Sequence, residues 1–496
     1  MKTKKIVFII IVLGVFSVIG ILWGVPHFGS LGIEESDCTQ SEGQVSNMRG
    51  AEFGEDTMYV GGSSQGEVGF GGTDSIDNIS KVTENFEYTS PDGESYNVSV
   101  RDRTNNLFLS RYDNKQIRWT STITPESLAY LYGITTDTIG NVYIGGSFTT
   151  KIDFGGNIIL ESEGGGFGDG FIAKYSPEGV VQWAYLVNST FFTEIQDIAV
   201  NENGEVYAVG SFQGSLTVDG NLMFQTEEER DNSGVLVALD SDGDLRWMKQ
   251  VGGAGDARSI SHWMNIHKDG NIYVLTSYFG FRVVAKYTPE GTEEIVLAIE
   301  DIFASSGGFD MDDEGNFYIL ANFLGGETGG VSRKSSIQVS STTTLQGKSK
   351  MNIAVLKYSP TAELIWSDVL SGAMGSSLSV HTPSQTILVS GALDPISFGN
   401  PDFGVITGVP EISRDNPFLI TYKSQERQDA YATIGVSKQS FIGRDGTKYL
   451  IGNIDTIDND PKDLPNTCLK ALNFDKFSYF TDLEQASRES MIWIFP

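Results

Sequence analysis

The chain has 496 residues, 40% of them hydrophobic, and a formal net charge of −30. Three of its positive charges, Lys2, Lys4 and Lys5, fall in the first five residues, so the remainder carries −30 − 3 = −33. A surface this acidic repels nucleic acid and anionic lipid and excludes them as partners, while favouring solubility and tolerating cations or basic proteins. Its two cysteines, Cys38 and Cys468, form no CxxC or Cys/His cluster, which argues against structural zinc.

Residues 6–25, IVFIIIVLGVFSVIGILWGV, are uncharged over 20 positions and follow MKTKK. That is long enough to cross a bilayer as a helix, with the lysines left in the cytoplasm. Residues 1–30 are therefore expected to be a transmembrane anchor or a cleaved signal peptide, and 31–50 a polar tether. No small-x-small cleavage site is evident.

From residue 51 onward the sequence repeats itself. GNVYIGGSF (140–148) returns as GEVYAVGSF (204–212), GNIYVLTSY (270–278) and GNFYILANF (315–323). Weaker copies are DTMYVGGSS (56–64), SQTILVSGA (384–392) and GTKYLIGNI (446–454). Aligned, they place Tyr59, Tyr143, Tyr207, Tyr273, Tyr318, Ile387 and Tyr449 at one position. A second text, FIAKYSPEGVVQW (171–183), has counterparts at 107–119, 235–247, 283–295 and 354–366, with degenerate forms at 418–430 and 468–480. Its best copies end in Trp119, Trp183, Trp247 and Trp366. Alternating apolar residues, β-branched and aromatic enrichment, and Asp-Gly or Glu-Gly turns are β chemistry. Each copy supplies four strands: one before the turn, one carrying the Tyr, one with the Lys-Tyr pair and one with the Trp. The glycines read as turn residues and the Tyr and Trp as packing positions. A four-stranded sheet cannot cover both faces alone, whereas a ring of them buries each against its neighbours. The expected fold is an all-β propeller of seven four-stranded blades over residues 51–496, preceded by one hydrophobic helix.

GNVYIGGSF…DFGG…GDGFIAKYSPEGVVQW resembles the seven-bladed β-propeller repeat (SBBP-type) family of bacterial and archaeal extracytoplasmic proteins. The resemblance covers residues 50–480. It implies fold and location and little chemistry.

Two insertions stand apart. Residues 73–104 read as an added hairpin around Pro91-Asp92-Gly93. Residues 326–350 are polar and carry Arg333, Lys334, Lys348 and Lys350, a basic island that serves as a recognition loop or simply as a mobile insertion. The tail, with MIWIF, reads as a closing strand or a docking segment.

Ring closure would bring Cys38 and Cys468 together, and a disulfide between them is expected; two unpaired thiols are the alternative. The bridge would close a loop of 468 − 38 = 430 residues and add about 2–4 kcal/mol. Non-reducing mass spectrometry of the exported protein should find no free thiol, and two free thiols would refute the bridge.

Chemistry is sparse. Gly62-Ser63-Ser64-Gln65-Gly66 matches the GxSxG text of hydrolases but lacks the strand–elbow–helix setting. Asp240, Asp242 and Asp244, and Asp310, Asp312 and Asp313, look like incomplete calcium loops and equally like hairpin turns. Calcium is the one cofactor the sequence leaves room for. The Trp-ended repeats have a faint likeness to quinone-dependent dehydrogenase propellers, without their cofactor-binding set. His27, His262, His267 and His381 share no motif. The reading is a monomeric, membrane-tethered or secreted propeller that binds a protein or glycan partner outside the cell, or serves as a structural module. The alternative is an extracytoplasmic enzyme, such as a polysaccharide lyase or hydrolase, at the channel mouth. Charged and aromatic side chains converging from several blades would favour the enzyme; an axis lined by Gly, Ser and small apolar residues would favour binding or structure.

Overall fold

In the computed structural model the strands gather into seven antiparallel sheets, mostly of four strands, in a propeller-like arrangement. The structure describes residues 44–53, 57–65, 68–69, 75–76, 82–89, 95–101, 105–113, 116–162, 168–228, 231–252, 263–278, 281–300, 307–325, 327–328, 331–332, 336–393, 401–402, 406–407, 416–432, 436–442, 448–454, 470–473 and 489–495. The hydrophobic run 6–25, Cys38 and Cys468 lie outside them. Among the described residues no helix is long and apolar enough to cross a membrane.

The second blade shows the plan. Its first strand (Ala129–Thr136) pairs with the second (Val142–Phe148), then the third (Asp169–Tyr175) and the fourth (Val181–Ser189). The third, fourth and fifth blades repeat this order with Phe192–Val200, Trp263–Ile266 and Phe309–Met311 as first strands. The first and sixth begin with Gln44–Phe53 and Ala373–His381, the seventh with Val436–Ile442. Each first strand packs against the next around the circuit, and the seventh returns to the first. The first strands therefore form the wall around the axis. The core lies between successive sheets; one apolar cluster joins Ile144 and Phe171 of the second blade to Leu107 and Ile123 of the first.

The aligned tyrosines occupy the second strands, and Tyr59, Tyr143 and Tyr207 are fully buried. Across the third strand, each meets the Trp of the fourth. Tyr59–Trp119, Tyr143–Trp183 and Tyr207–Trp247 have ring centroids 6.0, 6.2 and 6.0 Å apart. Between them in register stand Arg111, Lys174 and Ala238. Arg111 and Lys174 lie over the tyrosine faces at 5.9 and 5.3 Å, so the Lys-Tyr text also encodes a cation–π contact.

The tryptophans join blades as well as filling them. The indole Nε1 of Trp119 donates to Pro177 O (2.9 Å), that of Trp183 to Ser241 O (3.2 Å) and that of Trp247 to Pro289 O (2.8 Å). Each acceptor lies in the turn between the third and fourth strands of the following blade. Arg111 and Lys174 donate to the same Pro177 and Ser241 carbonyls. In each turn a glycine lies flat on the indole: Gly179, Gly243 and Gly291, at φ 82°, 89° and 84°. A Cβ there would stand 2.8, 2.6 and 3.1 Å from Trp119, Trp183 and Trp247.

Hairpins inserted between second and third strands reach backward. Lys151–Asp153 of the second blade pairs with the end of the first blade's fourth strand, and Ser215–Val218 of the third with that of the second. The insertion at 326–350 holds the same device: Ser336–Gln338 pairs with Thr344–Gln346. Its Lys348 ion-pairs with Asp402 at 2.6 Å. Arg333 and Lys334 lie outside the described residues. The expected hairpin in 73–104 is present as Val82–Thr89 paired with Ser95–Arg101.

Several alignments shift. In the sixth blade, Tyr422, the counterpart of Tyr175 in the aligned texts, pairs with Ile387 as Tyr175 pairs with Val142, so Leu388 and not Ile387 stands at the tyrosine position. In the fourth blade a bulge falls later in the hairpin, and Glu294, not Ile295, faces Lys286 where Trp183 faces Lys174. The last blade is not built from a 468–480 hairpin. The tail strand Glu489–Phe495 takes the third place, and Lys470–Asn473 lies outside it in parallel. The tail is thus a closing strand, as expected.

Candidate functional site

The axial wall is irregular in a repeated way. The first strands of the second, third and sixth blades each carry a one-residue bulge, at Tyr132, Gln196 and Ser376. A bulge re-aims the side chains on either side of it and is common beside functional sites. Opposite stand Gly146, Gly210 and Gly391 of the second strands. A Cβ on them would lie 2.0, 1.9 and 2.0 Å from the carbonyl oxygens of Tyr130, Glu194 and Met374. These glycines, read from the sequence as turn residues, are strand residues that admit the bulge.

Polar side chains on this wall link one blade to the next. Asn105 donates to Ala129 O (2.5 Å) and accepts from Ala129 N–H (2.7 Å). Met264 N–H donates to Asp197 Oδ2 at 2.8 Å. Asn265 Nδ2 donates to Asp310 Oδ1 (2.7 Å), and Val380 N–H donates to Asp310 Oδ2 (2.7 Å). Ile442 N–H donates to Ser379 Oγ at 3.2 Å. Aromatic residues share the wall: Tyr130 and Tyr132 stack at 6.2 Å, and Trp263 starts the fourth blade's first strand. Asp197, Glu194, Asn265 and Asp310, all half-buried, thus come from three consecutive blades. Charged and aromatic residues thus both occur on the first strands of several blades.

Two of these carboxyls hold protons unusually well. Desolvation pushes Asp310 up to about 7, with repulsion from Asp197 adding to it and the hydrogen bonds from Val380, Met311 and Asn265 opposing it. Burial also raises Glu194, against hydrogen bonds from Gln196 and Ser211. A carboxyl poised near neutrality is suited to donating and recovering a proton. The folded chain holds the Asp310 proton more tightly than the unfolded chain, where aspartate titrates near ~4. Its contribution to stability is therefore complete below that value and is lost as pH rises through about 7. Urea titrations from pH 4 to 8 should show Asp310→Asn losing less stability with rising pH than the wild type. Parallel curves would refute the assignment.

The calcium-like aspartates lie apart. Asp240, Asp242 and Asp244 form the third blade's outer hairpin, where Asp240 Oδ1 accepts from the backbone N–H groups of Asp242 (3.0 Å) and Asp244 (2.9 Å). Asp310 and Asp312 belong to the fifth blade. Asp312 is engaged by Asn316, by the Tyr318 hydroxyl at 3.0 Å and by Lys357 Nζ at 3.2 Å. Among the described residues, no three His, Cys, Asp or Glu side chains converge as a cation would need. Gly62–Gln65 lies in the second strand of the first blade, with Ser63 Oγ donating to Ala129 O at 3.2 Å. Of the calcium-like aspartates, Asp310 lies in a first strand, on the axial wall. Asp197, Glu194 and Asn265 were missed, and their signal was a polar residue in a first strand whose neighbours are apolar.

No family model matches the chain, and no curated protein does. Solved structures resemble it distantly. A protein of unknown function from Bacteroides caccae is 13% identical, with 65% of this chain and 94% of that one covered and a TM-score of 0.32. One of unknown function from Dyadobacter fermentans is 10% identical, over 77% and 95%, with a TM-score of 0.38. The polysaccharide lyase Uly1 is 9% identical, over 70% and 81%, with a TM-score of 0.37.

Proposed function

We propose that the chain is an extracytoplasmic propeller of the SBBP repeat type that cleaves a polysaccharide at its axial wall, held to the membrane through residues 1–30. The observation that carries the reading is Asp310, a carboxyl titrating at about 7 in contact with the fourth and sixth blades and within the field of Asp197. Asp310 passes its proton to the departing glycosidic oxygen; a water adds to the anomeric carbon left behind, and the proton that this water loses returns to the Asp310 carboxylate. The Asp197 carboxyl, held in place by the Ile198 and Met264 N–H groups that its two oxygens accept, flanks the sugar on the same wall. Tyr130 and Tyr132 offer ring faces for sugar units to stack on.

The full-length chain should be incubated with a panel of purified polysaccharides while reducing ends and unsaturated products are followed. At least one substrate should be cleaved, and Asp310→Asn should lower the rate roughly 100-fold or more. No product from any polysaccharide would overturn the enzyme reading and return the chain to a surface-binding module.

A further inference from the structure

The Trp staple repeats along the ring until the fourth blade, where it stops. Lys286 pairs with Tyr273 and Glu294 just as Lys174 pairs with Tyr143 and Trp183. In place of an indole, Glu294 approaches Lys286 Nζ at 3.6 Å. The turn that this indole would have covered belongs to the fifth blade and repeats the hydrogen bonds of the other three, Ser359 N–H to Glu363 O and Ala362 N–H to Ser359 O. Where the other turns have glycine, this one has Ala362, still at φ 60°. At the junction of the fourth and fifth blades, glutamate thus stands in place of the tryptophan and alanine in place of the glycine. The hairpin at 336–346 packs near the fourth blade's outer strand.

These departures open a cleft of about 580 Å³ between the fourth and fifth blades. That lies within the range of roughly 300–1,000 Å³ that small-ligand sites occupy. Phe281, Leu297 and Ala298 line one side, and the hydroxyl-bearing turn 340–343 lines the other. Phe281 is an aromatic residue 37% exposed, and Ala298 stands where the second blade has Leu186. An aromatic face opposite hydroxyl donors and acceptors matches the two chemistries of a sugar, its C–H face and its equatorial hydroxyls. The lining includes Glu363 and no cation, in a protein of net charge −30, which disfavours an anionic ligand such as an acidic glycan.

We infer that the cleft between the fourth and fifth blades binds a neutral glycan chain, at a site separate from the axial wall. The site does not depend on cleavage. Binding of the full-length chain to an array of neutral glycans, acidic glycans and extended peptides tests it. At least one neutral glycan should be retained. Phe281→Ala and the cleft-filling Ala298→Phe should each weaken it at least tenfold. Thr342→Trp, at an exposed turn position, should do the same without altering the thermal midpoint. Asp310→Asn should leave this binding intact while abolishing cleavage, which separates failure here from failure at the axis. Retention of no neutral glycan, retention undiminished by all three cleft variants, or cleft-dependent capture of peptides or acidic glycans instead would overturn the inference.

Discussion

Gly210→Ala is expected to destabilise the ring by about 4 kcal/mol or more, among the largest effects a single methyl group produces. The added Cβ would stand 1.9 Å from Glu194 O and 2.9 Å from both Glu194 C and Ile195 Cα. All three are backbone atoms, so no side-chain rotation relieves the clash. The first strand must move, and with it the Gln196 bulge and the Asp197 link to the fourth blade. Gly220→Ala is the control: nothing lies within 4 Å of its Cβ, and only its φ of 74° is unfavourable, a cost of about 1–2 kcal/mol. Urea denaturation of the two variants compares them directly. Equal losses would show that the axial wall yields readily.

The second large effect lies at the blade junctions and is best measured as a cycle. Trp119→Ala removes the packing on Tyr59 and the hydrogen bond to Pro177 O, which should cost about 3 kcal/mol. Gly179→Ala adds a left-handed penalty of about 1 kcal/mol, and it drives a methyl into the indole 2.8 Å away. With Trp119 already removed, only the backbone penalty remains. The double mutant should therefore be more stable than the sum of the single changes by about 1–2 kcal/mol. The turn containing Ala362 resembles that double mutant, with left-handed alanine and no indole above it. Strict additivity in urea titrations would mean that the glycine serves the turn alone.

The parts of this architecture that repeat were legible in the sequence. Periodic apolar residues, the Asp-Gly and Glu-Gly turns, and the recurring Tyr and Trp led to four strands per copy in the right order. Features set by register or by distant partners were not legible. Gly146 and Gly210 look like other glycines until the carbonyl facing them is known. A bulge moved along one hairpin replaces Ile295 by Glu294 at the staple position, although alignment by spacing favours Ile295. A one-residue register difference does the same for Ile387 and Leu388. The axial carboxylates were the hardest to foresee. Asp197 and Asn265 are 68 residues apart in sequence, and Asp310 is 45 further on, yet they meet because successive first strands stand side by side. In the sequence Asp310 stands out as part of a calcium-like run with Asp312 and Asp313; in the structure Asp312 caps its own turn, while Asp310 links the fourth and sixth blades.

The order of strands in the seventh blade constrains how the molecule is made. Glu489–Phe495 lies inside that sheet, flanked by Lys448–Ile454 on one side and Lys470–Asn473 on the other. During synthesis the first six blades emerge well before this strand does. Until it arrives, the seventh blade lacks an interior member, and the strand edges of Lys448–Ile454 and Lys470–Asn473 that it pairs with have no partner there. Closure is therefore a late, all-or-none event set by delivery of the final strand, and nascent or truncated chains ending before residue 489 should be the forms that chaperones and proteases engage.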